Sequence, residues 1–186
     1  MHLPICALLL FLAQPPSSGL DARVRQIIDA SGADVGVAFQ TLDGRHELFI
    51  HPDEVFHAAS TMKVPIMIEL FRQAGAGTLS LDDRIPIKNE FHSIVDGSVF
   101  TLDAGDDSDR EVYDGVGKTM TIRRLCELMI TVSSNFAANI LLEKVGVQNV
   151  RATVHRLGAD GMQVLRGVED DKAFDAGRNN TTTARG

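Results

Sequence analysis

Residues 119–146 read TMTIRRLCELMITVSSNFAANILLEKVG, and the spacing within this stretch decides the architecture. Ile122, Leu125, Leu128, Met129 and Val132 recur at helical intervals behind Thr121, a residue type that caps helix N-termini. The period breaks at Ser133-Ser134-Asn135 and resumes from Phe136 to Val145, where Gly146 stops it. Two helices joined through a polar break leave a hydroxyl and a carboxamide outside any backbone ladder, able to project into a cleft. The same residues also suit a plainer role, with Asn135 as N-cap of the Phe136 helix.

On either side the pattern alternates between helix and strand. Leu20, Val24, Ile27 and Ile28 give an amphipathic helix over Leu20 to Ala30, closed by Gly32. Val35, Val37 and Phe39, then His46, Leu48 and Ile50, alternate around an Asp43-Gly44 turn and predict a β-hairpin. Met62, Ile66, Met67, Leu70 and Phe71 return to helical spacing from Thr61 to about Ala74. Pro65 falls in the first turn of that helix, where a missing N–H costs least. A further helix is expected from Asn149 to Leu157. The acidic, Gly-bearing stretch Leu102 to Lys118 lacks the alternate oxygen spacing of a calcium loop and reads as a solvated loop. Arg166 to Gly186 has no apolar period and reads as a long loop.

The chain of 186 residues is 44% hydrophobic, enough for a packed core. Its formal net charge of −7 argues against a general nucleic-acid binder, because clustered cations that displace phosphate counterions are lacking. A small-molecule or peptide partner fits better. Leu3 to Ala13 form an apolar run too short to span a bilayer, followed by Pro15, Pro16, Ser17, Ser18 and Gly19. This predicts a signal peptide over residues 1–19 and a secreted or periplasmic protein, although only Met1 and His2 stand where a basic segment is usual. Cys6 would leave with the leader, and Cys126, between Leu125 and Leu128, reads as inert core.

Ser60-Thr61-Met62-Lys63 places a hydroxyl and an amine three positions apart at a helix start, on one face. A serine hydroxyl needs a nearby base, and a lysine serves only if its surroundings lower its pKa. Alone the spacing is weak, since it arises by chance about once in a chain of this size. Ser60 as a helix cap and Lys63 as a solvated side chain remain the plain alternatives. Glu169, beside Asp170 and Asp171, is either a water-activating base or one of three surface acids.

The order and surroundings of these residues change the balance between the readings. Residues 56–65 (FHAASTMKVP), 119–146, 164–170 (VLRGVED) and 179–184 (NNTTTA) together resemble the class A β-lactamase family and its close serine-hydrolase relatives, from about Leu20 to the last residue. The resemblance implies an α/β (α+β) fold of two parts, an antiparallel sheet flanked by helices and an all-helical part. Residues 20–60 would begin the first part with the hairpin, and 61–186 would carry the helical part and an Ω-like loop. It implies hydrolysis of a β-lactam amide through an acyl-enzyme: Ser60 acylated, Lys63 in the proton path, Ser133 relaying a proton, Asn135 binding the substrate amide and Glu169 assisting water. Arg166 and Asn180 would order the loop. No metal or organic cofactor is implied, and the expected form is a monomer without a membrane span, acting on a β-lactam or a peptidoglycan-like amide.

The sequence departs from that pattern in three places. Ser134 stands where the family has Asp in Ser-Asp-Asn. Gly167 and Val168 separate Arg166 from Glu169, Ala173 stands where an Asn holds the hydrolytic water, and Asn180 replaces an Asp that pairs with the loop arginine, leaving Arg166 to Asp175 or a neutral hydrogen bond. No Lys-Thr-Gly or Lys-Ser-Gly follows Thr183, so the final strands and helix of the fold are expected to be missing. A penicillin-recognising peptidase or slow-turnover hydrolase is the nearest alternative, and an inactive relic or a binding or sensor protein is the alternative of another class.

Overall fold

The computed structural model of the protein describes residues 19–186. The leader expected over residues 1–19, Gly19 excepted, and Cys6 with it, lie outside the described residues.

The chain opens with α1 (Gly19–Ser31), whose Val24 and Ile28 are half-covered while Leu20 and Ile27 stay exposed. Strands β1 (Val37–Gln40) and β2 (Glu47–Ile50) pair antiparallel in the register Val37↔Ile50 to Gln40↔Glu47. The turn between them is the expected one: Gly44 has φ +68°, and the Asp43 carboxylate accepts from the Thr41 hydroxyl at 2.6 Å and the Arg45 N–H at 3.1 Å.

Next come β3 (Phe56–His57), a 3₁₀ turn (Ala59–Met62) and α2 (Lys63–Gly75). The stretch expected to be all-helical carries short strands as well. β4 (Arg84–Pro86), β5 (Phe91–His92) and β6 (Val99–Phe100) precede α3 (Glu111–Asp114), and β7 (Thr119–Thr121) follows it. β4 pairs with β7 and β5 with β6, both antiparallel. Each is only two or three residues long, too short to show a period of two in sequence.

Thr121 caps α4 (Ile122–Thr131), accepting from the Arg124 N–H at 3.2 Å. α5 (Asn135–Val145) is capped by Ser134, whose hydroxyl accepts from the Ala137 N–H at 3.2 Å. That corrects the expectation that Asn135 is the cap, and it frees the Asn135 carboxamide for other contacts. Gly146, at φ +84°, turns the chain directly into α6 (Val147–Arg156), which begins earlier than expected.

The stretch from Arg166 to Gly186 is not one long loop. It holds α7 (Asp171–Asp175) and β8 (Thr181–Thr182), which pairs antiparallel with β3 in the register Phe56↔Thr182. The chain end is thereby stitched beside Ser60, and the Ala58 N–H donates to the Asn180 carbonyl at 2.9 Å.

The core lies where α2, α4, α5 and α6 meet, with Ile66, Leu70, Ile122, Leu125, Leu141 and Val150 fully buried. Apolar burial of this kind contributes roughly 1.5–3 kcal/mol per large side chain. Cys126 belongs to this core, and burial raises its thiol pKa, which disfavours the reactive thiolate. Among the described residues no helix is long and apolar enough to cross a membrane.

Candidate active site

Four non-glycine residues among those described have left-handed backbone, and three of them, Ala59, Ser133 and Glu169, meet at one cleft. Each costs about 1–2 kcal/mol of backbone strain that the surrounding packing holds in place. Such strain collects where a side chain must be aimed. Here it turns the Ser60 end of the 3₁₀ segment, the α4–α5 break and the loop before α7 toward each other.

Ser60 does not act as a helix cap. The N-cap of α2 is Met62, and no side chain caps that end. The Ser60 hydroxyl instead lies 2.9 Å from the Ser133 hydroxyl. Lys63, 2% exposed and so not the solvated side chain of the plain reading, points its amine between them. Its Nζ donates to the Ser133 carbonyl at 2.6 Å and to Asn135 Oδ1 at 2.8 Å, and it lies 3.0 Å from Ser133 Oγ and 3.3 Å from Ser60 Oγ. The two carbonyl oxygens can only accept, so they hold two N–H bonds. The third position of the nitrogen faces both hydroxyls, where a proton makes a donor and a lone pair makes an acceptor. Burial lowers the Lys63 pKa, and the carboxylates of Asp107 and Glu169 partly oppose it.

Glu169 is turned inward. It lines the cleft, and Asn135 Nδ2 donates to its Oε1 at 3.3 Å. Burial raises its carboxyl pKa, the Asn135 bond opposes that, and Asp107 and Asp106 raise it further. Asn135 thus bridges the amine and the carboxylate, one through its oxygen and the other through its nitrogen. The cleft has a volume of about 230 Å³, and His57 and Arg166 complete its wall.

Arg166 and Asn180 hold the loop without an ion pair between them. The Arg166 guanidinium donates to the Gly167 carbonyl at 2.9 Å and to Asn179 Oδ1 at 3.2 Å; no bond joins it to Asp175. Asn180 Oδ1 accepts the backbone N–H groups of Leu165 and Arg166 at 2.8 and 3.1 Å, and its Nδ2 donates to the Arg166 carbonyl at 3.0 Å. The neutral hydrogen bonding anticipated as one alternative for Arg166 is what the structure has, with the Gly167 carbonyl and the Asn179 carboxamide as acceptors.

Three supporting residues escaped the sequence reading. Asn139 accepts from the Val168 N–H at 2.6 Å and donates back to the Val168 carbonyl at 2.9 Å, pinning the residue before Glu169. Its place four positions after Asn135, on the same helical face, is the signal that would have found it. Asp170, 1% exposed, caps α7 through the Ala173 N–H and takes the Ile94 N–H at 2.9 Å, tying the loop to the β5–β6 hairpin. Asp107 is the third. The stretch Leu102 to Lys118 is anchored instead of solvated throughout: Leu102, Asp109 and Val112 are buried, and Asp107 accepts two α5 amides. Ala173 is fully buried, so the position that would carry a water-holding Asn presents only a methyl group to the interior. Among the described residues no group of three or more His, Cys, Asp and Glu side chains is placed to hold a metal ion.

The model of the beta-lactamase enzyme family matches residues 19–186. A β-lactamase of Rhodobacter capsulatus is 31% identical over 135 residues, which is 73% of this chain and 42% of that protein. The structure of an ancestral class A β-lactamase superposes with a TM-score of 0.68 at 28% identity, covering 89% of this chain and 60% of the other. That of a β-lactamase from Sphaerobacter thermophilus gives 0.68 at 25% identity, covering 88% and 56%. The chain therefore spans less than two thirds of the length of each of these proteins, and over that span it has the class A β-lactamase-like fold.

Proposed function

Because this chain belongs to the beta-lactamase enzyme family, we propose that it is a serine hydrolase that opens a β-lactam amide through an acyl-enzyme on Ser60. The observation that carries the reading is the triangle of Ser60 Oγ, Ser133 Oγ and Lys63 Nζ, with sides of 2.9, 3.0 and 3.3 Å. A buried amine facing two hydroxyls supports a proton path with no large movement.

In this reading neutral Lys63 accepts the Ser60 proton as Oγ attacks the ring carbonyl carbon. The Ser60 N–H, which donates to no acceptor among the described residues, contributes to stabilising the oxyanion. The ring C–N bond breaks as Ser133 gives its proton to the nitrogen and recovers one from Lys63, so the proton leaving Ser60 ends on the leaving nitrogen. Asn135 turns its amide group to a substrate carbonyl. Glu169 then takes a proton from water as the water oxygen attacks the ester carbon, the bond from that carbon to Ser60 Oγ breaks, and the proton held by Glu169 passes to Ser60 Oγ, which regenerates both groups. The substrate class includes peptidoglycan-like amides of the same geometry. The same reading takes residues 20–60 and 61–186 as the two parts of a catalytic unit and, from the apolar run at Leu3 to Ala13, infers export to the periplasm or beyond.

Ala173 favours a second reading, in which the acyl-enzyme forms but hydrolyses slowly, as in a penicillin-recognising peptidase. Without a carboxamide four residues after Glu169, the attacking water has one holder fewer.

Intact-protein mass spectrometry after exposure to benzylpenicillin tests the reading. One penicillin equivalent should add to the wild type and none to Ser60→Ala; identical masses for the two would defeat it. A chromogenic cephalosporin then separates fast turnover from a single burst.

A further inference from the structure

One carboxylate outside the cleft grips the turn that carries two of its residues. Asp107 Oδ1 accepts from the Asn135 N–H at 3.1 Å, and Oδ2 accepts from the Phe136 N–H at 2.9 Å. These are the leading amides of α5, which have no partner within the helix, while the Ser134 hydroxyl takes the next free one, at Ala137. Two side chains, one of them from a distant loop, therefore cap this helix. Asp107 is itself held. The Tyr113 hydroxyl donates to its Oδ2 at 3.2 Å, and the neighbouring Ser108 hydroxyl donates to the Val132 carbonyl, the residue before Ser133. The loop is thus fastened on both sides of the Ser133-Ser134-Asn135 turn.

We propose that Asp107 is a positioning residue: its carboxylate fixes the start of α5, so that the Ser133 hydroxyl and the Asn135 carboxamide keep their places around the Lys63 amine. The inference rests on the acyl-enzyme reading above for its catalytic consequence, though not for its geometry. Ser134 carries no charge, and Asp107 supplies the anion that the α5 N-terminus favours. That anion also acts across the cleft. Lys63 faces Asp107 from the loop and Glu169 from the segment before α7, and Glu169 faces Asp106 and Asp107, with His57 and Arg166 lining the same cleft. A negative charge there favours the ammonium form of Lys63, so removing it favours the neutral amine.

Two substitutions separate grip from charge. Asp107→Asn drops the charge but keeps the shape and one accepting oxygen, enough to hold one of the two α5 amides; Asp107→Ala drops the charge and the whole grip. Folding of each is checked by circular dichroism. Acylation by benzylpenicillin should slow about tenfold in Asp107→Ala on the high-pH plateau, where Lys63 is neutral in both proteins, as expected for misplacing a reacting group. In Asp107→Asn the rise of the acylation rate with pH should move to lower pH, which a merely structural role would not produce. Independently of any activity, the Asn135 and Phe136 amides should exchange faster in Asp107→Ala, and the NMR titration of Lys63 should move to lower pH in Asp107→Asn. Unchanged exchange of those amides together with an unmoved Lys63 titration would overturn the proposal. A wild type that takes up no penicillin would sink the acyl-enzyme reading instead, and the exchange and titration data would still decide the role of Asp107.

Discussion

The Asn139 carboxamide and the Val168 peptide close a two-bond ring, with Oδ1 accepting at 2.6 Å and Nδ2 donating at 2.9 Å. Gly167 makes room for it: a Cβ there would lie 2.9 Å from Asn139 Oδ1. Because Val168 immediately precedes the left-handed Glu169, this ring decides where the carboxylate points. Asn139 is 2% exposed, and its removal leaves the half-buried Val168 N–H and C=O without their partner, which should cost about 1–2 kcal/mol. In Asn139→Ala the acyl-enzyme should still form while its hydrolysis slows about tenfold. Single-turnover and steady-state kinetics on the same preparation check this; equal loss in both steps would mean that the ring supports the whole cleft and not the Glu169 loop alone.

Much of this arrangement is legible in the sequence where periodicity or spacing carries it. Ile122, Leu125 and Met129 mark α4, the Asp43-Gly44 turn marks the hairpin, and Ser60 and Lys63 share a helical face. What escapes is nonlocal or too short to have a period. β3 and β8 are two residues each and meet across more than a hundred positions, so neither Phe56-His57 nor Thr181-Thr182 announces a strand. Asp107 is one of several acids in a Gly-bearing loop, and only the fold singles out the one that reaches α5. Residue type alone points to Asn135 as the cap, but Ser134 caps equally well, and the contacts of the Asn135 carboxamide with Lys63 and Glu169 leave that role to Ser134.

Burial lowers the Lys63 pKa, so the neutral amine is reached below the ordinary lysine range. If Lys63 takes the Ser60 proton, the acylation rate must rise with pH as that amine loses its proton, and level off once it is neutral. Lys63→Met keeps the apolar stem and should abolish acylation, by a thousandfold or more on the order of general-base losses. Because the folded state binds the lysine proton less readily than the unfolded chain, the wild type gains stability as pH rises through the lowered pKa toward the ordinary one. Lys63→Met lacks that dependence. Denaturant unfolding across alkaline pH compares the two, and parallel profiles would mean that Lys63 is charged in the fold.

For Glu169 the shift runs the other way. Burial raises its carboxyl above the usual 4.5, with the Asn135 bond in opposition. A base must be ionised, so hydrolysis of the acyl-enzyme should fall as pH drops through this raised value, before an ordinary glutamate would protonate. Glu169→Gln keeps the contact with Asn135 but cannot take a proton from water. It should accumulate a penicilloyl adduct stable for hours, with acylation within a few-fold of wild type, an outcome read by the mass of the protein over time. An adduct that clears at the wild-type rate would remove Glu169 from the hydrolytic step.

The scaffold beneath α2 offers a test that does not depend on chemistry at Ser60. Glu69 is fully buried, and its carboxylate accepts from Arg72 at 2.6 and 2.7 Å, from the Thr153 hydroxyl at 2.6 Å and from Gln73 at 2.7 Å. Burial works against the charge, but the bonds from Arg72, Thr153 and Gln73 outweigh it and bring the pKa from 4.5 down to about 2. A carboxyl whose folded pKa is depressed stabilises the fold above its unfolded pKa, and that stability is lost as pH falls through the folded value. The window is therefore pH 4.5 down to about 2. Arg72 is partly open to water, which screens its share, so the effect should be on the order of 2–3 kcal/mol. Glu69→Gln should be less stable than wild type by that amount at neutral pH, and the two unfolding free energies should converge across the window. Curves that stay parallel down to pH 2 would show that the carboxylate charge contributes nothing to joining α2 and α6.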